Sequence, residues 1–120
     1  MSTPVGPYSP IMRGGDFLFT AGQIGISDGV LVEGGVEAQT RQVFANLRTV
    51  LASAGASLAD VVKATVFLVH IDDYAAVNKI YSEEFDGHRP ARSAVAVTAL
   101  PLGAQVEIEV IAVRTADLAD

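Results

Sequence analysis

The sequence predicts an α+β protein, in which a mixed β-sheet carries two helices on one of its faces. Two segments place apolar residues every three or four positions, which is typical of amphipathic helices. Five other segments are short, bounded by Gly, Pro or Asp, and mostly rich in β-branched residues, which is typical of strands. Because strands lie on both sides of each helix in a chain of 120 residues, one shared sheet is the simplest packing.

The elements follow the order β-β-α-β-α-β-β, and we expect one domain over residues 1–120. The predicted strands cover residues 17–21, 30–32, 61–71, 93–99 and 105–113. The apolar stripes of the helices are Val36, Thr40, Val43, Leu47, Val50 and Ala54, then Tyr74, Val77, Tyr81 and Phe85. Gly55 and Gly87 suit the helix ends, and Asp72-Asp73 can cap the start of the second helix. The last two strands would form a hairpin through Pro101 and Gly103.

The last predicted strand has two unlike faces. One face carries Val106, Ile108 and Val110, and the other carries Glu107, Glu109, Ile111 and Val113. A face that is acidic at one end and aliphatic at the other is unlike an ordinary solvent face. We therefore expect another subunit to share it, with a polar pocket at the acidic end.

The composition limits the classes of function. With 8 basic and 14 acidic residues the net charge is −6, which disfavours nucleic acids and anionic membranes as partners, because basic groups supply most of that affinity. The absence of cysteine excludes disulfides and thiolate sites and fits a reducing cytoplasm. No secretory signal or membrane span is visible. Because half of the residues are hydrophobic and the mean hydropathy is +0.38, we expect a homo-oligomer.

Several common sites are absent from the sequence. It contains no G-x-G-x-x-G or G-x-x-x-x-G-K-[ST] phosphate loop and no G-x-S-x-G elbow. His70 and Asp72 could supply two metal ligands, but a chain with only 2 histidines offers little for a transition-metal site. We therefore expect no metal.

Two charged residues on predicted strands are candidates for a functional site. Arg92 enters a strand of Ser, Ala, Val and Thr, where a guanidinium is costly without an anion. It could form an intersubunit salt bridge or hold a substrate carboxylate. Glu107 lies between apolar neighbours and could be the partner of an arginine or a proton-transfer group. The sequence leaves open whether the two share a face of the sheet.

Seven segments, taken in order along the chain, carry a resemblance to a known family. They are GPYS at 6–9, FTAGQI at 19–24, EAQTRQV at 37–43, DVVKATVFL at 60–68, YAAVN at 74–78, PARSAV at 90–95 and VEIEVIAV at 106–113. With these segments the sequence resembles the Rid family of reactive-intermediate deaminases, also called the YjgF family, over residues 4–114.

The resemblance implies a chorismate-mutase-like α+β fold that forms a homotrimer, with sites between subunits and no cofactor or metal. It implies hydrolysis of small enamine and imine carboxylates, such as 2-aminoacrylate, to the 2-keto acid and ammonia. Arg92 matches the arginine that binds the substrate carboxylate, and Glu107 matches the acid that positions water. The substrate-binding positions correspond to Tyr8, Gly22, Asn78 and Ala94.

The sequence departs from the family at three positions. Ala21 and Ala94 stand where many members have Ser and Cys, and Gly25 stands where Pro is usual, which bears on substrate preference. Two other functions stay open. One is an endoribonuclease or translation inhibitor, which the net charge of −6 disfavours. The other is a trimer that binds a small ligand without catalysis.

Overall fold

A computed structural model of the protein describes residues 6–114. Its strands are β1 (Ile11–Gly14), β2 (Phe17–Thr20), β3 (Gln23–Ile24), β4 (Ile26–Ser27), β5 (Val30–Leu31), β6 (Val61–Leu68), β7 (Ala91–Ala96) and β8 (Val106–Val113). Its helices are α1 (Gly35–Ala52) and α2 (Tyr74–Phe85). The predicted class is confirmed, because both helices pack on one face of a mixed sheet.

The main sheet has the strand order β1-β2-β8-β6-β7, and β3 also pairs with β8. All its pairings are antiparallel except that of β6 with β7, which run parallel because α2 connects them. The predicted hairpin of the last two strands is wrong, since β6 lies between β7 and β8. The α2 crossover places β7 on one edge of β6, so β8 pairs with the other edge.

The core lies between the sheet and the helices. Phe44 of α1 packs edge-on against Tyr81 and Phe85 of α2, with ring centroids 5.8 and 5.4 Å away. On β8, the side chains of Val106, Ile108 and Val110 are 0–2% exposed, which confirms the predicted alternation of that strand.

Several local features differ from the predictions. Strand β7 covers Ala91–Ala96 rather than residues 93–99, so Arg92 lies within the strand. The sequence does not predict β1, because three of its four residues are exposed and no apolar alternation marks it. Strand β6 ends at Leu68, since a 3-10 turn at Ile71–Asp73 leads into α2. Asp73 precedes α2 as predicted, but its carboxylate makes no capping hydrogen bond.

The predicted strand at 30–32 belongs to a separate hairpin, β4–β5, which lies off the main sheet. Its turn has positive φ at Asp28 (53°) and Gly29 (78°), as a type I′ turn requires. The Nδ2 atom of Asn46 in α1 donates to the carbonyl oxygens of Ile24 and Ile26, each at 3.0 Å. Helix α1 therefore holds the base of the hairpin.

The sheet face turned away from the helices is uncovered within residues 6–114. Its apolar side chains include Met12, Phe17, Phe19 and Val95, which are 44–60% exposed. None of the helices in the described part of the chain is long and apolar enough to cross a membrane.

Candidate functional site

Arg92 projects from edge strand β7 toward helix α2. Its register partner on β6 is the buried Ala64, so its side chain lies on the helix-covered face of the sheet. The Nη1 atom donates to Oδ1 of Asn78 at 2.6 Å, and Nη2 donates to the hydroxyl of Tyr74 at 2.8 Å. The guanidinium carbon also lies 4.8 Å from the ring centroid of Tyr81. Helix α2 thus fixes Arg92 by three contacts.

The Arg92 guanidinium keeps an uncompensated positive charge. Both hydrogen-bond acceptors are neutral, and no carboxylate of residues 6–114 forms an ion pair with it. A guanidinium has five N–H donors, so three remain for a ligand. Arg92 lines a cavity of about 490 Å³ together with Asn78, His88 and Arg89. This cavity, which we call the arginine half-site, suits an anion.

The Tyr81 hydroxyl below the guanidinium is buried and has no hydrogen-bond partner within residues 6–114. Burial raises the pKa of Tyr81 above its ordinary value, although the nearby Arg92 charge acts in the opposite direction. The phenol therefore stays neutral, and its ring supports the cation without cancelling its charge.

Glu107 projects from the opposite face of the sheet. It lines a groove of about 910 Å³ with Tyr8 and Gly22, and the groove extends to α1 and the β4–β5 hairpin. Partial burial raises the pKa of Glu107, and the neighbouring carboxylate of Glu109 raises it further. No residue of 6–114 donates a hydrogen bond to Glu107, so this carboxyl can accept a proton or a water hydrogen bond. We call this groove the carboxylate half-site.

Gly22 lies directly against the Glu107 side chain. A Cβ built on Gly22 would lie 2.7 Å from Cδ of Glu107 and closer still to Oε2. A glycine at this position therefore leaves room for the carboxylate in the groove. Tyr8, at the same groove, is 51% exposed.

The two half-sites are separate within one chain. Ala64 pairs with Arg92 on one side and Val110 on the other, whereas Glu107 pairs with Phe67. Arg92 and Glu107 are thus two strands and three residues apart, which is about 14 Å between Cα atoms, and they point to opposite faces. A molecule the size of 2-aminoacrylate cannot contact both in one chain.

The remaining candidates divide between the two halves. Asn78 and Ala94 lie on the helix-covered face with Arg92, and Ala94 packs partly against the core. Tyr74 and Tyr81 also belong to the arginine half, although the sequence predicts neither as a site residue. Their spacing relative to Asn78, at positions i, i+4 and i+7 of one helix, is the signal that could have found them.

The fold and these side chains define a class: a small α+β protein whose candidate site consists of an arginine half and a carboxylate half on opposite faces of one sheet. The family model described as Endoribonuclease L-PSP matches residues 1–114. The chain belongs to this family, which is the Rid or YjgF family that its sequence resembles.

Two curated relatives illustrate the range of the family. A RutC family protein of Pyrococcus horikoshii is 47% identical over 113 residues, covering 92% of this chain and 90% of that protein. A mouse protein named 2-iminobutanoate/2-iminopropanoate deaminase is 44% identical over 112 residues, covering 92% of this chain and 83% of that protein. A named deaminase is therefore among the relatives of this chain.

A solved structure also aligns over nearly the whole chain. The crystal structure of E. coli TdcF with bound serine superposes with a TM-score of 0.88 at 37% identity, covering 93% of this chain and 91% of that chain. The α+β fold is therefore shared with that protein.

Proposed function

We propose that this protein is a hydrolytic deaminase of small enamine and imine carboxylates, which it converts to the 2-keto acid and ammonia. The observation that carries the proposal is the clamped Arg92 guanidinium, which has three free N–H donors and no anionic partner within residues 6–114. The name of the mouse relative, 44% identical, supports the same chemistry.

Arg92 binds the substrate carboxylate in this proposal. A planar guanidinium can hold both carboxylate oxygens, which fixes the position of the adjacent C=N carbon. Asn78 orients Arg92, since its Oδ1 accepts from Nη1 at 2.6 Å. Its Nδ2 donors remain for a direct hydrogen bond to the ligand.

Glu107 positions and activates water. Burial and Glu109 raise the pKa of Glu107, which brings that pKa closer to neutral pH. A group with a pKa near the working pH can both accept and return a proton. Gly22 and Tyr8 shape the groove around it.

The reaction needs orientation and proton transfer rather than a nucleophilic side chain. An enamine first becomes the imine by moving a proton from nitrogen to carbon. Water then adds to the C=N carbon, and the carbinolamine expels ammonia, so that one water is consumed per ammonia released. The proposal includes neither a metal nor a cofactor, and it places the reaction in the cytoplasm.

A complete site requires two copies of the chain. Arg92 and Glu107 point to opposite faces of one sheet, so a neighbouring copy must bring its Glu107 to Arg92. The apolar side chains of the uncovered sheet face, such as Phe17 and Phe19, supply a surface for such packing. We propose the homotrimer that the family resemblance implies.

The test is acceleration of the hydrolysis of 2-aminoacrylate, which is generated in the assay from serine by a pyridoxal-phosphate dehydratase. Since the enamine also hydrolyses spontaneously, the decay of its absorbance is followed with and without the protein. We expect the absorbance to decay faster with wild type than without protein. With Arg92→Ala it should decay at the spontaneous rate, provided that the variant keeps the oligomeric state of wild type.

The same preparation is incubated with RNA to test the endoribonuclease alternative. Cleavage of RNA without acceleration of imine hydrolysis would overturn the proposal in favour of that alternative. Binding of pyruvate without any turnover would favour the non-catalytic ligand-binding trimer.

A further inference from the structure

One face of helix α2 forms a clamp around Arg92. Tyr74, Asn78 and Tyr81 occupy positions i, i+4 and i+7, so their side chains follow one another along one side of the helix. Each contacts the same guanidinium: Asn78 through an amide oxygen, Tyr74 through a hydroxyl, and Tyr81 through its ring.

The three residues restrict different motions of the guanidinium. The Asn78 and Tyr74 oxygens lie 2.6 and 2.8 Å from Nη1 and Nη2, so they fix its rotation within its plane. The Tyr81 and Tyr74 ring centroids lie 4.8 and 5.4 Å from the guanidinium carbon and limit movement out of that plane. A solvent-exposed arginine side chain samples many rotamers, and a ligand that binds it must restrict them at a cost in conformational entropy. In the clamp the rotamer of Arg92 is already restricted before a ligand binds.

Tyr74 differs from the other two members of the clamp. It is 40% exposed, whereas Tyr81 is 8% exposed and belongs to the core. Within residues 6–114 its hydroxyl has one hydrogen-bond partner, Arg92. Losing this hydroxyl should therefore cost the fold little and affect mainly the orientation of Arg92.

We propose that Tyr74 is a positioning residue, which holds the Arg92 guanidinium in the orientation that receives a carboxylate. This inference rests on the proposed function for its link to turnover. Its link to carboxylate binding can be measured separately, with pyruvate as the probe.

The test compares wild type with Tyr74→Phe, which keeps the ring and removes the hydroxyl. We expect KM for 2-aminoacrylate and the Kd for pyruvate to rise about 3- to 10-fold, with kcat changed less than about twofold. Tyr74→Leu also removes the ring and should raise both constants further. Lys79→Ala is the matched control and should leave both constants unchanged, because Lys79 is exposed on α2 and makes no ion pair with residues 6–114.

The outcomes separate this inference from the proposed function. Unchanged KM and pyruvate Kd in folded Tyr74→Phe would overturn the positioning role, even with normal deaminase activity in wild type. A fall in kcat with unchanged KM would also overturn it, because positioning of the carboxylate acts on binding. Absence of turnover in wild type would overturn the proposed function alone, and a raised pyruvate Kd in Tyr74→Phe would still support the clamp.

Discussion

The placement of Arg92 and Glu107 on opposite faces leads to a quantitative expectation for mixed assemblies. In the proposed closed ring, each site would take Arg92 from one copy and Glu107 from a neighbour. An Arg92→Ala chain still supplies an intact carboxylate half-site, and a Glu107→Gln chain still supplies an intact arginine half-site. Each variant alone should be inactive, whereas a mixture should contain sites with both halves intact.

The size of the recovery follows from the geometry. In an equal, random mixture of the two variants, half of the chains carry an intact Arg92 and the other half carry an intact Glu107. About one quarter of the sites then have both, whatever the number of copies in the ring. If both residues served the same site within one chain, the mixture would recover nothing.

The assay requires exchange of subunits between the variants. The two proteins are unfolded, mixed in equal amounts and refolded together, and imine hydrolysis is compared with wild type treated in the same way. A mixture of wild type with the Arg92→Ala/Glu107→Gln double variant is the matched control. Sites shared between copies give about one quarter of wild-type activity in both mixtures. Zero in the first mixture and about one half in the second would refute the shared site.

Five further expectations concern the site, the stability of the fold and the assembly. Arg92→Lys should lower kcat/KM for carboxylate-bearing imines by about 10- to 100-fold, measured by steady-state kinetics, because an ammonium cannot form the paired hydrogen bonds of a guanidinium. Glu109→Gln should move the acid limb of kcat/KM against pH to lower pH, measured by steady-state kinetics. The Glu109 carboxylate raises the pKa of Glu107, which must be ionised to accept a proton. Gly22→Ala should lower kcat about as much as Glu107→Gln, with a thermal midpoint near wild type, since the movable Glu107 side chain can swing away. Gly25→Ala should instead cost about 1–3 kcal/mol of unfolding free energy in denaturant titration, because its Cβ would lie 2.7 Å from the backbone of α1. Light scattering at micromolar concentration should show three copies of the chain, and a monomer would remove the proposed shared site.

Local periodicity predicted much of the fold. The alternation of Val106, Glu107 and Ile108 depends only on which side of β8 is buried, and the structure confirms it. The α1 stripe is likewise a property of one segment, and the buried Val43 and Leu47 lie on it. Such patterns can be read from the sequence because neighbouring residues share one environment.

The relation between segments could not be predicted in the same way. That β6 separates β7 from β8 depends on pairings between residues far apart in the chain, such as Ala64 with Arg92 and with Val110. The relative faces of Arg92 and Glu107 follow from those pairings. Strand β1 escaped prediction because an exposed edge strand needs no apolar alternation.

The β4–β5 hairpin can vary in sequence without changing the pairing of the main sheet. Within residues 6–114 its two strands pair only with each other. Asn46 holds its base through two backbone carbonyls, so these bonds to α1 do not depend on the hairpin side chains. Ser27 and Asp28 nevertheless form part of the wall of the carboxylate half-site. Substitutions or exchanges of residues 26–31 can therefore reshape the groove while the main sheet keeps its pairing. At this hairpin, natural variation or directed evolution can change the shape of the groove, and with it the substrate range, without loss of the main-sheet pairing that stabilises the fold.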